Sequence, residues 1–171
     1  ALVHAVVAAL DGQPRAPGVA LVADVPAVAG GLRPIDTDGT KLRQVLINLA
    51  GNALRFTTTG HVTVRLVADD QVPIAIEVID TGVGIPPDRL AAIFEPFEQA
   101  AATTSRDYGG TGLGLAIARA LAELLGATLA VTSTVGVGST FRVTFGAAAG
   151  ATTADAPRAH APVAALAGAE G

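Results

Sequence analysis

The 171-residue chain sets 11 Lys and Arg against 15 Asp and Glu, a formal charge of −4, and half of it is hydrophobic with only 4% aromatic. The acidic balance without a basic stripe argues against a nucleic-acid surface, and the absence of cysteine excludes a disulfide framework and thiolate chemistry. No apolar run approaches the roughly 18 residues of a membrane span, so the chain reads as a soluble, cytoplasmic α/β module with an Ala/Val/Leu/Ile core and no direct membrane contact. Its start at Ala1 reads as a piece cut from something longer.

In chain order, "ALVHAVVAAL" predicts a short helix stopped by "DGQPRAPG", "GVALVADV" a strand, and "LRPID" a short extended piece. The longest helical signal is "TDGTKLRQVLINLAGNALRF". There Leu42, Val45, Leu46, Leu49, Ala53 and Phe56 recur at helical spacing, with Asp38 or Thr40 able to cap the start. "HVTVRLV" and "IAIEVID" predict a hairpin joined through "ADDQVP". Residues 81–109 form a long Gly- and Pro-rich loop, of a length usually functional inside a compact domain. A helix over 115–125 follows, with Gly126 at its C′ position. "ATLAVTST", a "VGVG" turn and "STFRVTFG" predict a last hairpin. The architecture expected is a two-layer α/β sandwich, a mixed sheet with helices on one face, over residues 1–146. Residues 147–171 are Ala/Gly/Pro-rich without period and read as a tail or linker.

Three constellations carry chemistry. Gly110, Gly112 and Gly114, with Thr111 and Leu113 between them, run into a helix. They fit neither a P-loop, since no lysine follows, nor a dinucleotide fingerprint. Successive backbone N–H groups at a helix start still make an anion site, although the same run also suits a loop that merely caps a helix. Asn48, Asn52 and Arg55 share one face of the long helix. Amides there suit Mg²⁺ and a guanidinium suits phosphate, or else this is an exposed polar face. In "VIDTGVGIP", Asp80 ends an apolar strand and Gly82 and Gly84 follow. That suits close approach of a flat ligand with an amino donor, or an ordinary turn.

Read together, "NLAGNALRFT", "DTGVGIP", "IFEPFEQ" and "GGTGLGLAI" resemble, in order, the boxes of the ATP-binding catalytic domain of bacterial sensor histidine kinases. That family shares a superfamily with the ATPase of DNA gyrase, with Hsp90 and with MutL. The resemblance runs over roughly residues 36–145 and implies the Bergerat fold, with ATP and Mg²⁺ as cofactors. It implies Asn52 as the principal Mg²⁺ ligand and Asn48 lining the same site. Arg55 would stand at the phosphates, where the family more often has lysine, and Phe56 against the adenine. Asp80 would accept from the adenine amino group, with Thr81 and Thr140 completing a water-bridged polar cluster. Gly82, Gly84 and Ile85 would admit the base, and Gly110, Thr111, Gly112, Leu113 and Gly114 would wrap the phosphates. The lid would run from Pro87 to Tyr108 and be mobile without nucleotide, with Phe94 and Phe97 as anchors and Arg106 reaching a terminal phosphate.

Hydrolysing relatives resemble E-x-x-x-N where this chain has Asn48, and an amide is no general base. The resemblance therefore implies phosphoryl transfer to a histidine on a separate dimerisation domain. None of His4, His61 and His160 has the surroundings of such an acceptor. "SRDYGGTGLGLAI" and "GVGSTF" resemble hybrid-type kinases, where a downstream receiver domain follows, and the tail suits such a linker or a plain terminus. The isolated chain is expected to be a monomer and its parent a homodimer. A non-catalytic ATP-binding module and an anti-sigma-factor-type serine kinase are the alternatives.

Overall fold

One helix organises the molecule, and its sequence says why. Asp38 accepts at Oδ1 from the backbone N–H groups of Thr40 and Lys41, both at 3.0 Å, and so caps α2 (Gly39–Phe56). An Asp38–Lys41 ion pair adds to the first turn. Leu42, Val45, Leu46, Leu49, Ala50, Ala53 and Leu54 then bury one continuous stripe. The helix stops where the Thr57 hydroxyl donates to the Ala53 carbonyl at 2.7 Å and the chain turns extended. The cap gives a first prediction: Asp38→Ala lowers the thermal unfolding midpoint, whereas Asp38→Asn, which keeps a capping oxygen, largely preserves it. Equal losses in both would mean that the ion pair, not the cap, matters.

The computed structural model describes residues 2–96 and 112–146. Phe97, Arg106, Tyr108, Gly110, Thr111, His160 and the tail lie outside the described residues. The elements are α1 (Leu2–Leu10), β1 (Ala20–Asp24), α2, β2 (His61–Asp69), β3 (Val72–Asp80), α3 (Gly114–Leu124), β4 (Thr128–Thr134) and β5 (Gly138–Thr144). Two short 3₁₀ turns, Pro87–Arg89 and Ala92–Phe94, occupy the described part of the long loop. The strand order is β1-β2-β3-β5-β4, parallel between β1 and β2 and antiparallel elsewhere. α2 connects the two parallel strands, as a crossover requires.

The three helices bury their apolar stripes against one face of this mixed sheet. Val3, Val6 and Leu10 of α1, the α2 stripe, and Ala118 and Ala122 of α3 meet Val62, Val64, Ile76, Val78, Phe141 and Val143. The opposite face carries the pairs Arg65–Asp24 at 2.7 Å and Arg142–Glu77 at 2.6 Å, each between neighbouring strands.

Local details depart from expectation for physical reasons. Residues 32–36 form no strand, and the first strand is shorter than "GVALVADV". The β2–β3 turn is tighter than "ADDQVP", because Asp70 takes a left-handed conformation (φ 51°) that lets the strands run on to Asp69 and from Val72. α3 ends on Gly126 as expected. Ala127 N–H donates to Ala122 O at 2.9 Å and Gly126 N–H to Glu123 O at 3.0 Å, the paired bonds of a Schellman motif.

Candidate functional site

α2 forms one wall of the site. Asn48, Asn52 and Arg55 lie on the face turned away from the buried stripe. The Asn48 Oδ1 accepts from Gln44 Nε2 at 3.0 Å, while Asn48 Nδ2 is buried without a hydrogen-bond partner. Arg55 Nε is likewise buried and unpartnered, and burial lowers the pKa of its guanidinium from the ordinary value. The guanidinium carbon lies 4.8 Å from the centroid of the Phe56 ring. Orphaned donors at this depth are costly, and two on one helix face point to an acceptor-rich ligand. An anion with several oxygens is the chemistry that both donors fit.

The start of α3 closes against the same face. A Cβ on Gly114 would lie 3.5 Å from Asn52 Nδ2 and 4.0 Å from its Oδ1, so the amide of Asn52 stands over this helix start. Gly112 takes φ 68°, and Leu113, which precedes the helix, gives it no side-chain cap. Among the described residues, no side chain caps the first N–H groups of α3, the kind of helix start that can receive an anion.

Asp80 ends β3 as the other pole. It is only 7% exposed, and its Oδ1 accepts from Gly82 N–H at 2.8 Å and Ser139 N–H at 3.3 Å. Burial pushes this carboxyl above the usual carboxylate range, opposed by those backbone donors and by the Ser139 hydroxyl. The loop beyond it threads between the end of α2 and the β4–β5 turn. Val83 N–H donates to Phe56 O at 3.3 Å, and Gly136 N–H donates to Val83 O at 2.9 Å.

The glycines of this loop answer to protein packing. A Cβ on Gly82 would come within 2.5 Å of the Phe56 carbonyl oxygen. On Gly84, at φ 72°, it would overlap the Thr134 carbonyl group, 2.7 Å from the carbon. Ile85 N–H donates to Ser133 Oγ at 2.8 Å.

One expected member of the site lies elsewhere. Thr140 pairs with Ile79, one step out of phase with Asp80, and successive strand residues face opposite sides of a sheet. It therefore sits on the outer face, and the place beside Asp80 belongs to Ser139. Thr81 adjoins Asp80 in the chain, but its hydroxyl accepts from His61 N–H at 3.0 Å and lies 3.1 Å from the Thr59 carbonyl oxygen, to which it donates. The polar cluster around the carboxylate is instead Ser139 with Ser133, whose hydroxyl oxygens are 3.0 Å apart. A sequence signal for this existed: Phe141 must face the core, so alternation turns Ser139 inward and Thr140 outward.

Phe94 packs edge-on against Phe141, with centroids 6.4 Å apart, and Arg119 covers it at 5.7 Å. It is an anchor of the loop, as expected. Arg106, Gly110 and Thr111 lie outside the described residues. Among the described residues no three His, Cys, Asp or Glu side chains group as a metal cage. A cation here would be held by Asn52 together with ligand oxygens, the manner of Mg²⁺ with phosphates. No described helix is long and apolar enough to cross a membrane.

The same stretch matches known proteins. Hybrid signal transduction histidine kinase A of Dictyostelium discoideum is 46% identical over 121 residues, 64% of this chain and 6% of that protein. The autoinducer 2 sensor kinase/phosphatase LuxQ of Vibrio cholerae is 44% identical over 112 residues, 64% of this chain and 13% of that protein. Full-length ShkA, crystallised in complex with AMPPNP, superposes with a TM-score of 0.65 at 34% identity, over 86% of this chain and 30% of that one. The chain thus spans a small part of each. Residues 37–149 match the profile of the histidine kinase-, DNA gyrase B- and HSP90-like ATPases, and with the two-layer sandwich and the site on its α2 face, the chain belongs to that family of ATP-binding domains.

Proposed function

We propose that residues 1–146 are the catalytic domain of a two-component sensor histidine kinase. They bind Mg·ATP and pass its γ-phosphoryl group to a histidine on a separate dimerisation domain. The observation that carries this reading is the α2 face, where Asn48 Nδ2 and Arg55 Nε are buried without partners beside the start of α3. A triphosphate supplies the acceptors that both donors lack.

Each residue then has a task. Asp80 accepts from the adenine amino group, with Gly82, Gly84 and Ile85 shaping the floor under the base and Phe56 beside it. Arg55, Asn48 and the α3 start, Gly112 to Gly114, hold the phosphates. Asn52 offers its carbonyl oxygen to Mg²⁺. Held there, Mg²⁺ would supply positive charge to offset that of the phosphoryl oxygens. Asn48 has no basicity at neutral pH, so it does not activate water, an omission that typically costs ~10²–10⁴-fold in rate. Transfer needs positioning more than a base: the acceptor imidazole nitrogen forms a bond to phosphorus, the bridging P–O bond breaks, and ADP leaves. The name of one relative, a hybrid signal transduction histidine kinase, supports the further reading that the parent serves a receiver domain.

The test supplies the chain with a histidine-bearing dimerisation domain and γ-labelled ATP. An acid-labile, base-stable label on that domain is the expected result. An acid-stable label would mean a serine kinase, and nucleotide binding without any transfer would mean a non-catalytic module.

A further inference from the structure

Asn48 stands in the middle of α2, half-buried, where asparagine is a poor helix former, and one turn before Asn52. Its amide is engaged at one end only. Gln44, one turn earlier on the same helix and exposed, donates from Nε2 to Asn48 Oδ1 at 3.0 Å. The other end, Nδ2, is buried and meets no partner. An amide oxygen accepts and an amide nitrogen donates, so the end turned to a ligand decides what Asn48 can hold.

The bond from Gln44 does not exhaust Oδ1, which keeps a second lone pair. What it sets is direction. With the oxygen drawn toward Gln44, one turn nearer the start of the helix, the nitrogen takes the opposite edge of the planar amide with both its N–H groups unmet. Arg55 Nε, further along the same helix face, is also a buried donor without a partner. Two such donors call for an anion rather than a cation. The reverse arrangement, with Gln44 Oε1 accepting from Nδ2, would turn the Asn48 carbonyl to the ligand instead.

We propose that Gln44 is a positioning residue for phosphate binding: by holding the oxygen of Asn48 it turns the Nδ2 donors to the ligand, so that Asn48 meets a phosphoryl oxygen while Asn52 serves the cation. The inference rests on the reading of the α2 face as the triphosphate site. It gives the two asparagines opposite tasks, and it makes an exposed glutamine that touches no nucleotide in that reading the residue that separates them.

Calorimetry on the 171-residue chain measures Mg·ATP affinity for the wild type, Asn48→Ala, Asn48→Asp, Gln44→Glu and the double variant Gln44→Glu with Asn48→Ala. A carboxylate only accepts, so Gln44→Glu draws Nδ2 to itself and turns the Asn48 carbonyl to the ligand. Asn48→Ala and Gln44→Glu are each expected to weaken binding roughly 10-fold, the contribution of a hydrogen bond to a charged group. The double variant should bind less than about threefold more weakly than Asn48→Ala, because nothing is left to position. Asn48→Asp, which keeps the shape but has no donor, should lose at least as much as Asn48→Ala. Equal losses from Gln44→Glu in both backgrounds would mean that the added charge alone repels the nucleotide. That result, an unchanged affinity in Gln44→Glu, or retained affinity in Asn48→Asp, as a carbonyl turned to Mg²⁺ would give, overturns the inference while leaving the nucleotide site standing. A wild type that binds no Mg·ATP overturns the site and the inference together.

Discussion

Asp80→Asn is expected to weaken Mg·ATP binding about 100-fold while leaving the domain folded. The carboxylate is the one acidic group buried at the site among the described residues, and a hydrogen bond to a charged acceptor contributes about 1.5–3 kcal/mol. The amide also turns an N–H₂ group toward the incoming amino donor, so repulsion replaces attraction. Stability should move the other way. Burial raises the folded-state pKa of Asp80 above 3.8, so the native state holds its proton more tightly than the unfolded chain. The group's contribution is then favourable at low pH and is lost as pH rises through the raised value. Removing the charge should leave the nucleotide-free thermal midpoint at neutral pH unchanged or higher.

The same shift sets the pH dependence of binding. Only the ionised carboxylate accepts from the amino group, so affinity in the wild type should decline with falling pH at a value above 3.8. Calorimetric titrations across pH on both proteins check this. Wild-type-like affinity in Asp80→Asn would remove Asp80 from the site.

Gly138→Ala is expected to destabilise the fold by about 3 kcal/mol or more. The residue takes φ 133°, which side-chain-bearing residues avoid, and a Cβ there would overlap the Asp80 carbonyl group, 2.8 Å from its carbon and 3.0 Å from Thr81 Cα. Both neighbours are backbone, so nothing can swing aside. In a chain of this length, about 3 kcal/mol corresponds to a fall of ~6–12 °C in the thermal midpoint. The displaced strand end is the one that carries Asp80, so nucleotide affinity should fall in the same variant. A variant that melts as the wild type does would mean that the β3–β5 junction relaxes more readily than its hydrogen bonding implies.

The fold was legible where local signals and burial agree. The helical stripe from Leu42 to Ala53, the cap at Asp38, the Gly126 stop and both hairpins follow from periodicity and turn chemistry, which act within a few residues. Phe56 extends the periodic stripe but ends half-exposed beneath Arg55, because the helix terminates there and the loop at Val83 binds its carbonyl. Asn48, Asn52, Arg55 and Asp80 could be picked out because polar groups at those places are costly unless something satisfies them. The glycines after Asp80 were visible as a pattern, but their cause was not. Their neighbours, Phe56 and Thr134, are distant in sequence, and no local rule announces that a carbonyl will stand where a Cβ would be.

The sequence by itself determined the main helices and strands in order and the residue types able to hold a nucleotide, since these rest on spacing along one chain, and its four boxes carried the resemblance to the family. Only the tertiary structure decided that Ser139 rather than Thr140 attends Asp80, that Thr81 is spent on β2, and that Ser133 joins β4 to the loop. Strand register is the physical reason. A one-residue step along β5 reverses the face, and which residue of β3 stands opposite is set by the core that Phe141 and Val143 must enter.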